Sequence, residues 1–210
     1  MRASTGPRGL TRIAVFAALI AVLGIPGAIP AFGGAVPITA QTLGVMLAGV
    51  ILGPWRGAAA VLLVEVLVAF GLPLLSGGRG GAGVFVGPSA GYLVGWIVGA
   101  VVVGAIVHAG PARATWWRTA LASVVGGILV IYAVGIPVQS LVTGLPLGAT
   151  VLSSLVFLPG DAIKVVVTVV IALALWRAYP KAFERGVRRP PAETRTTSEA
   201  APVQDATTTR

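Results

Sequence analysis

The sequence predicts an all-α membrane protein, a bundle of six transmembrane helices with both termini in the cytoplasm. Three observations predict it. Of the 210 residues, 56% are hydrophobic and only 10% are charged, against about 25% charged in an ordinary soluble domain. A chain with a mean hydropathy of +0.95 cannot cover its own surface with polar groups, so a bilayer is its natural solvent. Six stretches are apolar over roughly the 20 residues that a helix needs to cross hydrocarbon. Finally, the basic residues collect on one side of those stretches, as cytoplasmic retention of Lys and Arg requires.

In chain order the stretches are Thr11–Ala31, Val36–Gly53, Gly57–Leu75, Pro88–His108, Thr119–Val138 and Gly160–Tyr179. The second is short and suits a helix tilted little or a thinner patch of bilayer. Gly- and Pro-rich breaks separate them: "GIPGAIPAFGG", "GPWRG", "GLPLLSGGRGGAG", "HAGPARA" and "GLPLG". Alternation at period two is absent, which argues against a membrane barrel. From Glu184 the chain turns polar, with Pro, Thr and charges, the composition of a disordered tail. The expected organisation is a cytoplasmic segment 1–10, a six-helix domain 11–180 and a cytoplasmic tail 181–210.

A cytoplasmic N-terminus puts Arg2, Arg8, Arg12, Arg56, Arg113, Arg118, Arg177, Lys181, Arg185, Arg188 and Arg189 on the inner face. The outer face keeps Arg79, with Lys164 just inside a helix start. The net charge of +9 is therefore an orientation signal for the cytoplasmic membrane rather than a nucleic-acid footprint. A cleaved signal peptide at the N-terminus would leave five spans and set Arg56, Arg113 and Arg118 in conflict with the tail. There is no cysteine and one histidine, so disulfides, thiolate metal sites and histidine metal sites are excluded. No cofactor and no enzymatic activity are expected.

Three features meet on the outer face: the glycine loop, "GPSAGYL" opening the fourth helix, and "PGDAIK" opening the sixth. Asp161 follows Pro-Gly in the position of an N-cap. Lys164, one turn on, opposes the helix dipole there, and ionisable groups in spanning helices face a cavity or a partner. At i and i+3 the two side chains share a face, which Thr168 continues a turn deeper. "GRGGAG", Gly78 to Gly83, matches a dinucleotide fingerprint by letter, but the strand and βαβ context it needs is missing. Seven glycines within 71–87 instead permit turns closed to other residues, so the loop can fold over a ligand and carry Arg79 with it.

Thr39, Gln41 and Thr42 stand near the outer end of the second helix, and Tyr92 and Trp96 offer an aromatic wall or an interfacial belt. His108 reads as a solvated helix end. Glu65 lies near the middle of the third helix with Ala58, Val61, Leu62 and Ala69 on its face, as a protonated, packed carboxyl or part of a proton path. Arg79, Lys164 and Asp161 sum to +1, a balance suited to a small ligand with a carboxylate, an apolar stem and an N–H-bearing head.

"VPITAQTLGVMLAGVILGPWRGAAAVLL", "GLPLLSGGRGGAGVFVGPSAGYLVG" and "PGDAIKVVV" resemble the BioY-type biotin transporters, substrate-binding S components of energy-coupling-factor (ECF) transporters. The resemblance covers about Val36 to Ala178. Ser89 and Ala90 stand where the family more often shows Thr and Gly, and Glu65 replaces an apolar or aromatic residue. The resemblance implies high-affinity capture of biotin and its uptake across the cytoplasmic membrane. It implies ligand contacts from Asp161 and Lys164, to which the reading of the residues themselves adds Arg79, Tyr92, Gln41, Thr39 and Gly78 as expected members of the site. Asp161 is expected to accept the ureido N–H groups and Lys164 to donate to the ligand. The valerate carboxylate goes to Arg79, or to Lys164 with Arg79 steering only.

The family couples to an ECF module of a membrane scaffold and two ATP-binding subunits, and this chain has no G-x-x-x-x-G-K-[ST] of its own. Ala14 and Ala18, with Ala17 and Ala21 beside them, form a small-residue face for docking or for packing within the bundle. The competing readings are an S component for another small vitamin, a membrane-embedded enzyme, and a membrane adaptor.

Overall fold

The computed structural model describes residues 7–25, 39–109, 115–179 and 182–183. It is helical: α1 Pro7–Val22, α2 Gln41–Leu52, α3 Pro54–Ala69, α4 Ala90–His108, α5 Trp116–Val124, α6 Ile131–Thr143, α7 Leu147–Ser154 and α8 Leu158–Ala178. A π-helical segment, Val125–Val130, joins α5 to α6, and a 3₁₀ turn, Leu155–Phe157, joins α7 to α8. Among the described residues, three rods are long and apolar enough to span a membrane: Ala90–His108, Trp116–Thr143 and Leu147–Ala178. Gln41–Leu52 is a shorter apolar helix. Leu62, Val98, Leu129, Leu152, Ile163 and Val170 are exposed, an arrangement suited to lipid and hostile to water.

Helix ends depart from the apolar stretches where backbone chemistry overrides hydropathy. α1 ends at Val22 rather than Ala31, and 26–31 lie outside the described residues. α2 begins at Gln41, with the Gln41 N–H donated to Thr39 Oγ1 at 2.9 Å, and 36–38 of the expected stretch lie outside the described residues. α3 stops at Ala69 because Gly71 turns left-handed at φ +99° and Pro73 cannot extend a helix. The fifth stretch runs on to Thr143, where Gly144 at φ +71° closes α6 in the usual left-handed cap. The sixth begins earlier than expected, because α7 fills the segment after "GLPLG" and leads into α8. The N-terminal segment 1–10 is shortened by α1, which starts at Pro7. Of the tail, Ala182 and Phe183 are described, and Phe183 stacks edge-on against Trp176 at 5.0 Å.

α4 is the central helix, packed against α2, α3, α6 and the π segment. Its glycines make this possible. A methyl on Gly91 would sit 2.5 Å from Val138 Cβ, on Gly95 3.0 Å from Ile131 Cα, and on Gly99 2.6 Å from the Gly126 carbonyl. These glycines are four residues apart, the spacing that lets membrane helices approach backbone to backbone. At the other end of α4, Gly104 lies against the α2–α3 junction.

One end of the bundle gathers basic residues. Arg56 lies against Gly9, His108 against Gly53, and Arg118 Nε donates to the Ile106 carbonyl at 2.7 Å. Arg79, Asp161 and Lys164 occupy the opposite end. Glu65 is buried, 5% exposed, and its Oε1 has no hydrogen-bond partner among the described residues. The face it shares is centred on Val61, Val64 and Val68, whereas Leu62 and Ala69 point outward.

Gly104→Ala tests the central crossing. Its methyl would lie 2.4 Å from Pro54 N and 2.6 Å from Gly53 C, so the variant should lose about 1–3 kcal/mol of stability. Thermal unfolding in detergent measures it.

Candidate functional site

The polar groups that matter converge between the ends of α2, α4, α6 and α8, beneath the loop joining α3 to α4. α8 begins at Leu158, with Pro159 in its first turn, so Asp161 stands inside the helix and caps nothing. Asp161 is 5% exposed, and its partners are side chains. The Tyr132 hydroxyl donates to Oδ2 at 2.5 Å, and Lys164 Nζ donates to Oδ1 at 2.9 Å. Lys164 Nζ also donates to Thr42 Oγ1 at 2.9 Å, which ties α8 to α2. A carboxylate offers about four acceptor positions and an ammonium three donors. Among the described residues, Asp161 therefore keeps about two acceptor positions and Lys164 one donor for a ligand. Thr168 lies outside this cluster, its hydroxyl turned to Met46 Sδ at 3.7 Å.

The loop forms the roof. Leu75 and Arg79 exchange backbone hydrogen bonds of 3.0 and 3.2 Å, a tight turn made by Gly77 and Gly78 at φ +78° and +69°. The Gly81 N–H reaches back to the Val68 carbonyl at 2.7 Å, pinning the loop to α3. Arg79 Nε donates to the Ser76 carbonyl at 3.3 Å and Nη1 to Ser89 Oγ at 3.2 Å. Burial lowers the pKa of Arg79, but a guanidinium is not deprotonated in proteins.

Thr39, Gln41, Thr42, Arg79, Ser89, Tyr92, Trp96, Asp161 and Lys164 all line one pocket, with Leu75, Leu93, Gly127, Ile131, Tyr132 and Phe157. Its free volume of about 60 Å³ is below the roughly 300 Å³ of a pocket holding a drug-sized ligand. Tyr92 presents its ring, while its hydroxyl bonds Gln139 Oε1 at 2.8 Å and lies 3.2 Å from Ser154 Oγ. Gln41 presents its stem, because its carboxamide is taken up by backbone groups of α1 and the loop.

Three sequence-derived placements change. Gly78 lies off the pocket, in an apolar groove between the end of α1 and the loop that Ala18 and Ala21 also line. Ala17, 4% exposed, packs into the core. Ala14 and Ala18 are exposed and Ala21 half-buried, so the outward small-residue face of α1 is narrower than the four alanines suggest. Sequence reasoning missed Tyr132. Its signal was a hydroxyl within "ILVIYAVGIP", a group that must find a partner when buried in an apolar span.

Comparison with known proteins matches residues 1–181 to the model of the BioY family. The chain is 47% identical over 185 residues to a protein of Rhodobacter capsulatus named "Biotin transporter BioY", covering 84% of this chain and 97% of that one. It is 39% identical over 168 residues to a Thermotoga maritima protein of the same name, covering 80% and 95%. A crystal structure of "the S-component for biotin from an ECF-type ABC transporter" superposes with a TM-score of 0.78 at 35% identity, covering 84% of this chain and 95% of that one.

The buried pair can be tested without any ligand. Lys164→Met leaves Asp161 charged and undercompensated and should cost about 3–5 kcal/mol of stability. Adding Asp161→Asn to Lys164→Met should recover part of that loss. A double-mutant cycle by thermal unfolding checks it, and strict additivity would contradict the pairing.

Proposed function

The chain belongs to the BioY family, and on that premise we propose that it captures biotin from outside the cell. It is the substrate-binding subunit of an ECF-type transporter that takes the vitamin across the cytoplasmic membrane. The observation that carries this reading is the Asp161–Lys164 pair, held by Tyr132 and Thr42 in an otherwise apolar pocket. The pair cancels its own charge and leaves Arg79 as the net +1, matched to a ligand with one carboxylate.

Biotin offers a ureido ring with two N–H groups, an apolar bicycle and a valerate carboxylate. The spare acceptor positions of Asp161 suit the ureido N–H groups, and the spare donor of Lys164 suits the ureido oxygen. Trp96, Leu93 and Ile131 supply apolar walls, and Arg79 at the roof suits the carboxylate. Thr39 adds a hydroxyl to the rim and Tyr92 its ring.

Counted as rods, α1, α2, α3, α4, α5 with α6, and α7 with α8 make six passes. The basic end of the bundle faces the cytoplasm under the positive-inside rule, which puts both termini there and the pocket outside. A scaffold subunit with two ATP-binding subunits supplies the energy, and the exposed Ala14 and Ala18 on α1 are the face on which it docks.

Thermal unfolding of the purified protein with biotin, thiamin or riboflavin tests the assignment. Biotin at 100 times its Kd should stabilise by about 2.7 kcal/mol, and the other two vitamins should do nothing. Asp161→Asn and Lys164→Ala should each weaken biotin binding by about ten- to a hundredfold, the worth of hydrogen bonds to a charged group. Unchanged affinity in both variants would end the assignment of these residues.

A further inference from the structure

Gln41 lines the pocket but has almost nothing left to offer a ligand. It is 1% exposed. Nε2 donates to the Ile20 carbonyl at 3.2 Å and to the Leu74 carbonyl at 3.0 Å, which uses both amide hydrogens. Oε1 accepts the Ser76 N–H at 3.0 Å. One side chain at the start of α2 thus closes backbone positions on two other segments, the last turn of α1 and the loop that carries Arg79.

The contact on α1 is a helix-end cap. The Ile20 carbonyl belongs to the terminal turn, where four carbonyls lack intrahelical partners. The Gly24 N–H, which an unbroken helix would give to Ile20, instead bonds Ala21 at 2.9 Å, and the Ile25 N–H bonds Val22 at 3.0 Å. Gln41 takes the carbonyl so freed. On the loop side, the Leu74–Ser76 backbone held by Gln41 leads directly to the Ser76 carbonyl that fixes Arg79 Nε. Gly24 closes the joint, since a methyl there would sit 2.6 Å from the Leu74 carbonyl and 3.0 Å from Gln41 Nε2.

We propose that Gln41 is a positioning residue, not a ligand contact. It latches the Arg79 loop to the last turn of α1, so that a shift of α1 opens the roof of the pocket. The proposal rests on the reading of that pocket as the biotin site. Two of the three bonds tie the loop to α2 and the third ties α2 to α1. Because one carboxamide makes all three, a shift of α1 that turns or displaces this carboxamide weakens its hold on the loop as well. Docking or displacement of α1 thereby acquires a direct mechanical route to ligand retention.

The chain has no cysteine, so a single introduced thiol reports on one place. Ser76→Cys places it in the latched loop and Ser123→Cys in α5, both at sites buried to 1% exposure or less. The full chain in lipid nanodiscs is labelled with a water-soluble maleimide, with and without biotin. Gln41→Leu should speed labelling at Ser76→Cys by about tenfold or more, the order expected for losing buried hydrogen bonds. It should speed biotin dissociation by a similar factor and leave Ser123→Cys unchanged. Gly24→Ala, which keeps Gln41 but wedges the joint, should do the same. Unchanged Ser76→Cys rates in both variants would overturn the latch, as would equal acceleration at both reporters, the mark of general loosening. The ligand-free rates judge the latch alone. Failure of biotin to bind or to slow labelling of Ser76→Cys in the unaltered background would count against the biotin reading instead.

Discussion

Asp161 and Lys164 carry opposite charges in a part of the chain otherwise fit for hydrocarbon, and taking two such groups out of water costs on the order of several kcal/mol per ion. The structure offsets that cost locally. The carboxylate accepts from the Tyr132 hydroxyl and the Lys164 ammonium, and the ammonium donates to Thr42 Oγ1 in addition. Three rods are committed by this arrangement, because Thr42 belongs to α2, Tyr132 to α6 and the pair itself to α8. A buried ion pair is weak evidence of stability, since apolar replacements of similar shape often do as well. Its presence here fits the hydrogen-bonding capacity that it leaves unused and turned into a pocket.

Close packing keeps the commitment accurate. The glycines of α4 bring its backbone against α6 and the π segment, which fixes Tyr132 relative to Ser89 and Trp96. Pi-helical turns inside α-helices often mark functional sites. This one carries Gly127 in the pocket lining, where a methyl would collide with Met46 at 2.5 Å. The roof is held differently, by hydrogen bonds to a glycine-rich segment rather than by packing. Walls made of interlocked helices thus carry a roof hung on a few polar contacts.

Much of this was legible in the sequence, for definite reasons. Apolar helices declare themselves because hydrocarbon tolerates few polar residues, and the same intolerance makes Asp161, Lys164 and Glu65 conspicuous. Arg79 could be placed because seven glycines around it promised a folded loop. Helix ends were harder, since Phe70–Leu75 is as apolar as a span and only Gly71 and Pro73 betray its turn. α7 was hidden by the short break before it and by an apolar content shared with α8. The loss of Asp161 as a cap follows from the same cause, because α8 starts earlier than the Pro-Gly suggests. The backbone groups held by the Gln41 carboxamide and the carboxylate met by Tyr132 lie 21 to 35 and 29 residues away, and no local pattern encodes such distances. The glycines at 91, 95 and 99 show a packing signal that the sequence does carry and that hydropathy alone passes over.

A structure of this chain determined with biotin bound bears most directly on the account. The account predicts the ureido ring within hydrogen-bonding distance of Asp161 and Lys164, beneath the Arg79 loop, with the pair still in contact with Tyr132 and Thr42. Biotin seated elsewhere, with the pair bonded only to its protein partners, would contradict it.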